Sequence, residues 1–207
     1  MLIPTIFRDF IECVPRKGIL HIGAHECEEL GLYYSIWFRD DKILWIEAIP
    51  ELVERMKSTY STNNIIQAVI TDKDNEEVNF MITNNIQSSS IFNLKTHLQE
   101  HPHIFEKERK KLKTTTLNTL YDTLGISYDT YDFINLDIQG AELKALQGAS
   151  KILPYIKAIY CEVNEKELYE GCALLPELDS FLEKYNFKRI TTAMSQHGWG
   201  DALYIKV

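Results

Sequence analysis

Short apolar segments alternate with amphipathic segments along this chain of 207 residues, and this alternation limits the possible folds more than any other feature. The apolar segments are short and bounded by turn residues, which predicts buried strands at residues 18–22, 43–46, 65–70, 131–136 and 156–163. The amphipathic segments predict helices at residues 28–38, 51–60, 141–153 and 174–185. Strands that alternate with helices predict an α/β fold with a mainly parallel sheet and helices on both faces.

Smaller elements are predicted around this core. Further strands are expected at residues 77–82, 113–117, 187–192 and 202–207, the last two as a terminal hairpin. Short helices are expected at residues 4–14 and 117–124, and residues 84–111 are predicted to be irregular and then helical. We therefore expect a single domain over residues 1–207, with an N-terminal helical segment at 1–17 and a lid or acceptor-binding insertion at 84–112.

The charge of the chain bears on its partners. A formal net charge of −8 argues against non-specific binding to nucleic acid, because such binding depends on neutralising phosphates. The one basic run, residues 107–113, is interpreted as a solvated helix face. The alternative is a patch that meets an acidic or phosphorylated acceptor.

Cysteine usage and hydropathy give an expectation about the compartment. The cysteines lack the close spacing of zinc or redox motifs and are predicted to be reduced thiols: Cys13, Cys27, Cys161 and Cys172. The N-terminal stretch carries charged residues within its apolar part, and no segment is long enough to span a membrane. We expect a soluble cytoplasmic protein without a membrane partner, and the sequence does not set its oligomeric state.

Two strand ends carry a pattern typical of adenosine binding. Gly23 ends the first predicted strand at a sharp turn, where a side chain would block a ligand from approaching the backbone. Glu47 ends the second strand 24 positions later, where an acidic residue accepts hydrogen bonds from ribose hydroxyls in nucleotide-binding α/β domains. Its apolar neighbours, including Ala48, fit an adenine slot. The pair therefore predicts an adenosine-containing cofactor.

The loop after Gly23 argues against a phosphate-containing cofactor. The dinucleotide fingerprint needs glycine or alanine where this chain has His25 and Glu28. A pyrophosphate would meet bulk and negative charge there, and no Walker-type loop is present either. Asp137, at the end of the fourth predicted parallel strand, offers a carboxylate to a cationic amino or sulfonium group. Glu142 follows in the first turn of a helix, where its charge suits the helix dipole. A purely structural role as a capping residue is the alternative interpretation.

Several segments together resemble the FkbM family of methyltransferases over roughly residues 18–190. They are GILHIGAHECEE, LWIEAIPE, QAVITDKDNEEVNF, QSSSIF, KTTTLNTL, DFINLDIQGAELKALQGAS and IYCEVN. Three positions differ from the common family pattern, since His21, His25 and Cys27 stand where Asp, Asn and Gly are frequent. These differences affect the contacts of the first loop.

The resemblance implies a class I, Rossmann-like methyltransferase fold with a seven-stranded sheet whose last strand is antiparallel. It also implies transfer of a methyl group from S-adenosylmethionine to a hydroxyl of a sugar, a glycan or a hydroxylated natural product. By position, Gly23 and His25 would line the methionine end, Glu47 the ribose, Ala68 the adenine and Asp137 the amino acid moiety. The full set predicted to bind the cofactor is Gly23, Ala24, His25, Glu47, Ala48, Ala68, Val69, Ser89 and Asp137.

A hydroxyl that attacks a methyl group must lose its proton, so a proton acceptor is expected near the strand ends. The candidates are His25, Asp137 and Glu162, and the sequence does not rank them. A divalent metal held by Asp137, Glu162 and Asn164 is an alternative that we do not favour, and no metal site is predicted.

The segment from Ser88 to His103 is rich in hydroxyl, amide and imidazole side chains. His97, His101 and His103 are interpreted as part of a polar lid over the acceptor, with a metal bound by His97 and His101 as the less favoured alternative. The hydroxyls of residues 88–90 would donate either to the cofactor or to a sugar, or form an ordinary turn. Three aromatic residues are candidates for stacking on a sugar face or for the core: Tyr160, Tyr169 and Trp199.

These features predict an O-methyltransferase that acts on a sugar or glycan hydroxyl. The alternatives are an O-methyltransferase of a small hydroxylated natural product and a non-catalytic partner subunit that binds the cofactor. A nicotinamide dehydrogenase is disfavoured by His25 and Glu28. A nucleobase N-methyltransferase is disfavoured because the fourth strand ends in LDIQG and not in an Asn/Asp-Pro-Pro-aromatic turn.

Overall fold

The computed structural model describes residues 17–36, 38–60 and 64–207. The predicted N-terminal helix and Cys13 lie outside the described residues. Ten strands are present in the described part: β1 (Ile19–Ile22), β2 (Ile43–Glu47), β3 (Ile65–Gln67), β4 (Val69–Ile70), β5 (Glu77–Thr83), β6 (Glu106–Thr115), β7 (Phe133–Leu136), β8 (Ala158–Asn164), β9 (Phe187–Met194) and β10 (Trp199–Lys206).

The helices predicted at residues 28–38, 141–153 and 174–185 are shorter than expected, whereas those predicted at 51–60 and 117–124 agree with the structure within one residue. They are α1 (Leu30–Ser35), α2 (Pro50–Tyr60), α3 (His97–Glu100), α4 (Leu117–Leu124), α5 (Glu142–Gln147) and α6 (Leu175–Glu183), with 3-10 turns at Asp40–Lys42, Ile86–Ser88 and Leu153–Tyr155. The helix predicted at residues 141–153 ends at Gln147, because the chain then continues through tight turns such as Ala149 N–H to Leu146 O, 3.1 Å. Apolar periodicity persists through these turns, so it does not mark where the helix ends.

Seven strands form the main sheet in the order β3-β2-β1-β7-β8-β10-β9. The pairs among β1, β2, β3, β7 and β8 are parallel, and β10 runs antiparallel between β8 and β9. The central parallel strands are buried on both faces, which explains why they appear in the sequence as continuous apolar runs. This architecture confirms the predicted Rossmann-like methyltransferase fold with an antiparallel last strand.

A second, three-stranded sheet in the order β4-β6-β5 corrects two predictions. The strand expected over residues 65–70 divides, and its second half, β4, pairs with β6 instead of joining the main sheet. The basic run at 107–113 lies in β6, where a helix was expected, because β6 pairs antiparallel with β5 from Glu106 to Lys113. Its charges bind neighbouring carboxylates, as in the Lys110–Glu51 and Lys111–Glu77 ion pairs. Residues 84–105 therefore form the irregular connection between β5 and β6.

The turn after β1 depends on Gly23. Its φ of +90° lies in the left-handed region, and a Cβ added there would stand 1.7 Å from the backbone oxygen of Asp137. The Gly23 and Ala24 N–H groups donate to Ile46 O at 2.9 and 3.0 Å, so this turn also fixes the end of β2. Gly23 is thus required by the packing of three strand ends. The structure therefore adds a packing requirement to the expectation that a side chain there would block a ligand.

We predict that Gly23→Ala lowers the free energy of unfolding by at least ~2 kcal/mol, because it combines left-handed strain with backbone overlap. Chemical denaturation monitored by circular dichroism measures this. The matched control is Gly31→Ala in α1, where a Cβ would meet nothing within 4 Å. That change should be neutral or stabilising by up to ~1 kcal/mol. Equal unfolding midpoints for the two variants would contradict the role assigned to the turn.

Candidate active site

A cavity of about 550 Å³ lies at the carboxyl ends of β1, β2, β7 and β8, beneath the β5–β6 connection. Ligands bind at this edge in open α/β sheets. Nearly all the predicted site residues line it: Gly23, His25, Glu47, Ala48, Ala68, Val69, Ser89, Asp137 and Glu162. Ala24 is the exception among the predicted residues, because its side chain packs in the hydrophobic core.

The Glu47 carboxylate joins the loops that follow β1 and β2. It is buried, with 7% of the residue exposed, and accepts from the backbone N–H groups of His25 at 2.8 Å and Ile49 at 2.9 Å. Burial raises its pKa, although these two hydrogen bonds favour the charged form. A carboxylate has about four lone-pair positions, so two remain for ribose hydroxyls.

The cavity has one apolar end next to Glu47. Its walls there come from β2, the start of α2, β4 and β5: Ile46, Ala48, Ile49, Leu52, Ala68, Val69 and Phe80. Several of these residues form a small hydrophobic cluster of their own. This end fits the flat, apolar face of an adenine ring, as the sequence predicts.

The rest of the cavity is acidic. Five carboxyl side chains line it: Glu28, Glu29, Glu47, Asp137 and Glu162. No lysine or arginine is among the described residues that line this cavity. A site lined by carboxyl groups attracts a cationic ligand and repels phosphates, because no lysine or arginine among the described lining residues offsets the negative charge. The residues present therefore fit S-adenosylmethionine, which carries a sulfonium and an ammonium, better than a dinucleotide.

The first loop adopts a strained backbone at two of the positions that differ from the family pattern. His25 has φ +43° and Cys27 has φ +57°, which are conformations that Asn and Gly adopt more readily. The Nδ1 atom of the His25 ring forms a hydrogen bond with Glu28 Oε1, 2.6 Å away. Glu28 in turn accepts from the Gln87 amide at 3.2 Å, so the loop contacts the β5–β6 connection.

A buried acidic group lies at the ends of β7 and β8. The Gln139 amide nitrogen donates to Asp137 Oδ1 at 2.7 Å and also to Glu162. Tyr169 donates to the Gln139 side-chain oxygen, and Ser90 Oγ donates to the Gln139 backbone oxygen at 2.7 Å. Gln139 thus holds the two carboxyl groups together and is itself held in a left-handed conformation, φ +56°.

Protonation relieves repulsion within this acidic group. Burial raises the pKa of Glu162 well above its ordinary value, and the nearby charge of Asp137 and a hydrogen bond between the two carboxyl groups raise it further. Burial also raises the pKa of Glu142 to about 7. Glu142 accepts from the backbone N–H groups of Ile138 at 3.0 Å and Gly140 at 3.1 Å, which confirms that it caps this loop.

The structure changes the membership of the alternative metal site. Ligand atoms of Asp137, Glu142 and Glu162 lie within 4.8 Å of one another, whereas Asn164 is not part of this triad. Asn164 is buried, and neither its side-chain nitrogen nor its oxygen has a hydrogen-bond partner. The triad that forms thus includes Glu142, which sequence reasoning had placed in the helix cap alone.

One of the polar residues around Asp137, Gln139, had no role assigned from the sequence. Gln139 lies within the motif LDIQGAE, but nothing in that motif indicates a bridge to Glu162, 23 residues further on. Tyr169 is fully buried and is fixed by its hydroxyl, so it does not stack freely on a sugar. Tyr160 is buried in the core, and Trp199 is the one of the three aromatic candidates that is partly exposed to the cavity.

The remaining polar predictions concern the lid. Ser88 and Ser89 line the cavity, as do His97, His101 and His103.

The described cysteines, Cys27, Cys161 and Cys172, are buried free thiols. None of the helices in the described part of the chain is long and apolar enough to cross a membrane.

Comparison with known proteins identifies the family. The model of the methyltransferase FkbM domain matches residues 21–189. The chain belongs to the FkbM methyltransferase family. The 2-O-methyltransferase NoeI of Sinorhizobium fredii (strain NBRC 101917 / NGR234) is 33% identical over 98 residues, which span 45% of this chain and 40% of that protein. The resemblance inferred from the sequence motifs is confirmed.

One solved structure supports the fold. A protein in the NADB-Rossmann superfamily from Streptococcus agalactiae has a TM-score of 0.53 and 10% identity, and the match covers 100% of this chain and 69% of that chain. Magnesium protoporphyrin IX methyltransferase from Synechocystis PCC 6803, with bound SAM, has a TM-score of 0.49 and 8% identity over 98% of this chain and 76% of that chain. At these identities the similarity concerns the fold alone.

The raised pKa of Glu142 predicts a pH-dependent stability. Its folded pKa of about 7 exceeds the ordinary 4.5, so its contribution is complete below pH 4.5 and is lost as pH rises through 7. Glu142→Gln keeps the acceptor oxygen but cannot ionise. Relative to wild type, its stability should therefore rise over this window by up to ~1.4 kcal/mol per pH unit.

Urea denaturation at several pH values between 4.5 and 8 measures this difference. Glu183→Gln, on the exposed face of α6, is the matched control and should follow the wild-type curve. If Glu142→Gln and wild type lose stability in parallel across this window, the group whose titration lowers the stability is not Glu142.

Proposed function

We propose that this protein is an S-adenosylmethionine-dependent O-methyltransferase that acts on a carbohydrate hydroxyl. The observation that carries the proposal is the polarity of the cavity, which has an apolar end, a carboxylate at the ribose position and an acidic remainder without lysine or arginine among its described lining residues. Family membership supports the reaction class. The acceptor class rests on the lining of the cavity and on the activity after which one relative is named.

The cofactor would be held by residues from four strand ends. Glu47 would accept from the ribose hydroxyls, the Ala68 region would contact the adenine, and Asp137 would face the ammonium or sulfonium. S-adenosylmethionine supplies, when bound, a methyl group on a positively charged sulfur, which is its own electrophile. The chain must therefore place the acceptor oxygen, exclude water and remove one proton.

The Asp137–Glu162 pair is our candidate for the proton acceptor. It lies at the ends of adjacent strands, Gln139 donates to both carboxyl groups, and burial and the nearby charge of Asp137 raise the pKa of Glu162. As the acceptor oxygen bonds to the methyl carbon, the carbon–sulfur bond would break, S-adenosylhomocysteine would leave, and the hydroxyl proton would pass to this pair. His25 is less suited, because its Nδ1 is engaged by Glu28 at the cavity rim.

The carbohydrate acceptor is favoured by the cavity wall opposite the sheet. Hydroxyl, amide and imidazole groups predominate there, supplied by Asn85, Gln87, Ser88, Ser89, His97 and His101. Such a wall offers donors and acceptors to a polyol, and Trp199 adds one partly exposed ring. The relative NoeI is named a 2-O-methyltransferase, which is consistent with an oxygen acceptor.

Glu47→Gln tests the cofactor site. The substitution removes charge-assisted acceptance from the ribose, worth about 1.5–3 kcal/mol, so the dissociation constant for S-adenosylmethionine should rise by about 10-fold or more. Isothermal titration calorimetry measures it. The matched control is Glu51→Gln, an exposed carboxylate at the start of α2, which should bind within twofold of wild type. Equal affinity of both variants would show that Glu47 does not bind the ribose.

Transfer of labelled methyl groups to a panel of glycans, phenols, peptides and lipids tests the acceptor class. We expect label on glycans, and Asp137→Asn should lower kcat by about 100-fold or more at saturating cofactor. Asp122→Asn, which is exposed and remote from the cavity, is the control. Label on phenols or peptides with none on glycans would refute the carbohydrate acceptor. Unchanged kcat in Asp137→Asn would refute its share in the proton acceptor.

A further inference from the structure

Four histidine side chains lie close together beside the cavity, and three of them line it. We call His97, His101, His103 and His197 the imidazole cluster. The ring of His101 is central, with its centroid 4.9 Å from that of His97, 5.0 Å from that of His197 and 6.1 Å from that of His103. Three of the rings belong to the β5–β6 connection, and the fourth belongs to the turn between β9 and β10.

These separations match those of imidazoles that share one metal ion. A Zn–N bond of about 2.0–2.1 Å puts each ring centre about 3 Å from the ion, so the centres of two rings in a tetrahedral site lie about 5 Å apart. Neutral imidazole is a preferred ligand for zinc, copper, nickel and iron. Two of the three centroid separations around His101 agree with this value within 0.1 Å.

His97 provides an independent sign that a ligand is required. The residue is buried, with 4% exposed, and its Nδ1 has no hydrogen-bond partner. A buried polar atom without a partner is costly, and each such atom calls for an explanation. A metal ion would give this buried nitrogen the partner that it lacks in the described part of the chain.

The carboxylate of Glu100 contacts the ring of His197, as carboxylates commonly do with histidines that bind metals. Glu100 Oε2 lies 2.8 Å from His197 Nδ1, which orients the ring and directs Nε2 away from this carboxylate. Ligating histidines commonly donate their second N–H to a carboxylate in this way. The His197 Nε2 lies 3.3 Å from the exposed amide nitrogen of Gln196, which is a long hydrogen bond that an ion would displace.

The imidazole cluster differs from the acidic triad in what it would bind. Among the described residues, only the acidic triad has ligand atoms that already lie within 4.8 Å of one another. The imidazoles would therefore have to rotate about their side-chain bonds before they could bind one ion together. Two of the three carboxyl groups of the triad are buried, and burial raises the pKa of Glu162, whereas His97, His101 and His103 offer imidazole nitrogens to the cavity. Nitrogen ligands select transition metals over magnesium or calcium.

We propose that the imidazole cluster binds one divalent transition-metal cation, of the zinc class, with His101 as its central ligand. Because the ligands come from two chain segments, the ion would connect the lid segment at residues 97–103 to the turn at 195–198. It would thereby fix the wall of the cavity that we assign to the acceptor. Metal binding is measured without cofactor or acceptor, so this proposal and the proposed function can fail separately.

Titration of untagged, chelator-treated protein with Zn²⁺ and with Co²⁺ tests the proposal. Calorimetry should show one equivalent of Zn²⁺, and bound Co²⁺ should give the visible absorption of a tetrahedral nitrogen site. His101→Ala should weaken binding by at least 100-fold, and Glu100→Gln by about 10-fold through loss of ring orientation. Zinc should also raise the thermal unfolding midpoint of wild type, but not that of His101→Ala.

His25→Ala is the matched control, because this histidine lines the same cavity outside the imidazole cluster and should keep the wild-type affinity for zinc. If His101→Ala does not fold, the partly exposed His197→Ala is used, with folding checked by circular dichroism without metal. The proposal is overturned if wild type binds less than one equivalent of Zn²⁺ at micromolar concentration. It is equally overturned if His25→Ala loses as much affinity as the cluster variants.

Discussion

The buried carboxylate of Glu47 is the interaction on which the site depends. It accepts backbone N–H groups from the loop after β1 and from the start of α2, and so fixes the distance between two neighbouring strand ends. The turn at Gly23 reinforces the same junction, because its N–H donates to the last residues of β2 and its missing side chain admits the end of β7. One carboxylate thus organises the loops and faces the cavity, so architecture and ligand binding share a residue.

The distribution of charge then selects among adenosine cofactors. The sheet order brings Asp137 and Glu162 beside the loop that carries His25, although both follow His25 by more than 100 residues in the sequence. The resulting cavity concentrates carboxyl groups and, within the described residues, no lysine or arginine. Low dielectric strengthens both the attraction of a cation and the repulsion of a phosphate, so a similar fold can bind ligands of opposite charge.

Much of this site was predictable from the sequence because strand ends follow from hydrophobic pattern. Glu47 and Asp137 end buried apolar runs, and parallel strands bring such ends to one edge of the sheet. The strand β6 was not predictable in this way, since its charged residues 107–113 suit a helix or a strand until β5 supplies a partner. The bridge from Gln139 to Glu162 and the meeting of His101 with His197 depend on tertiary contacts across 23 and 96 residues, which no local pattern encodes.

The most direct test of the account is a parallel calorimetric titration of the wild-type protein with S-adenosylmethionine and with NAD. Both ligands offer adenine and ribose to the apolar end and to Glu47, so they differ mainly in the charge placed among the carboxyl groups of the cavity. The account predicts binding of one equivalent of S-adenosylmethionine and binding of NAD that is at least 100-fold weaker. Equal affinity for the two ligands, or tighter binding of NAD, would contradict it.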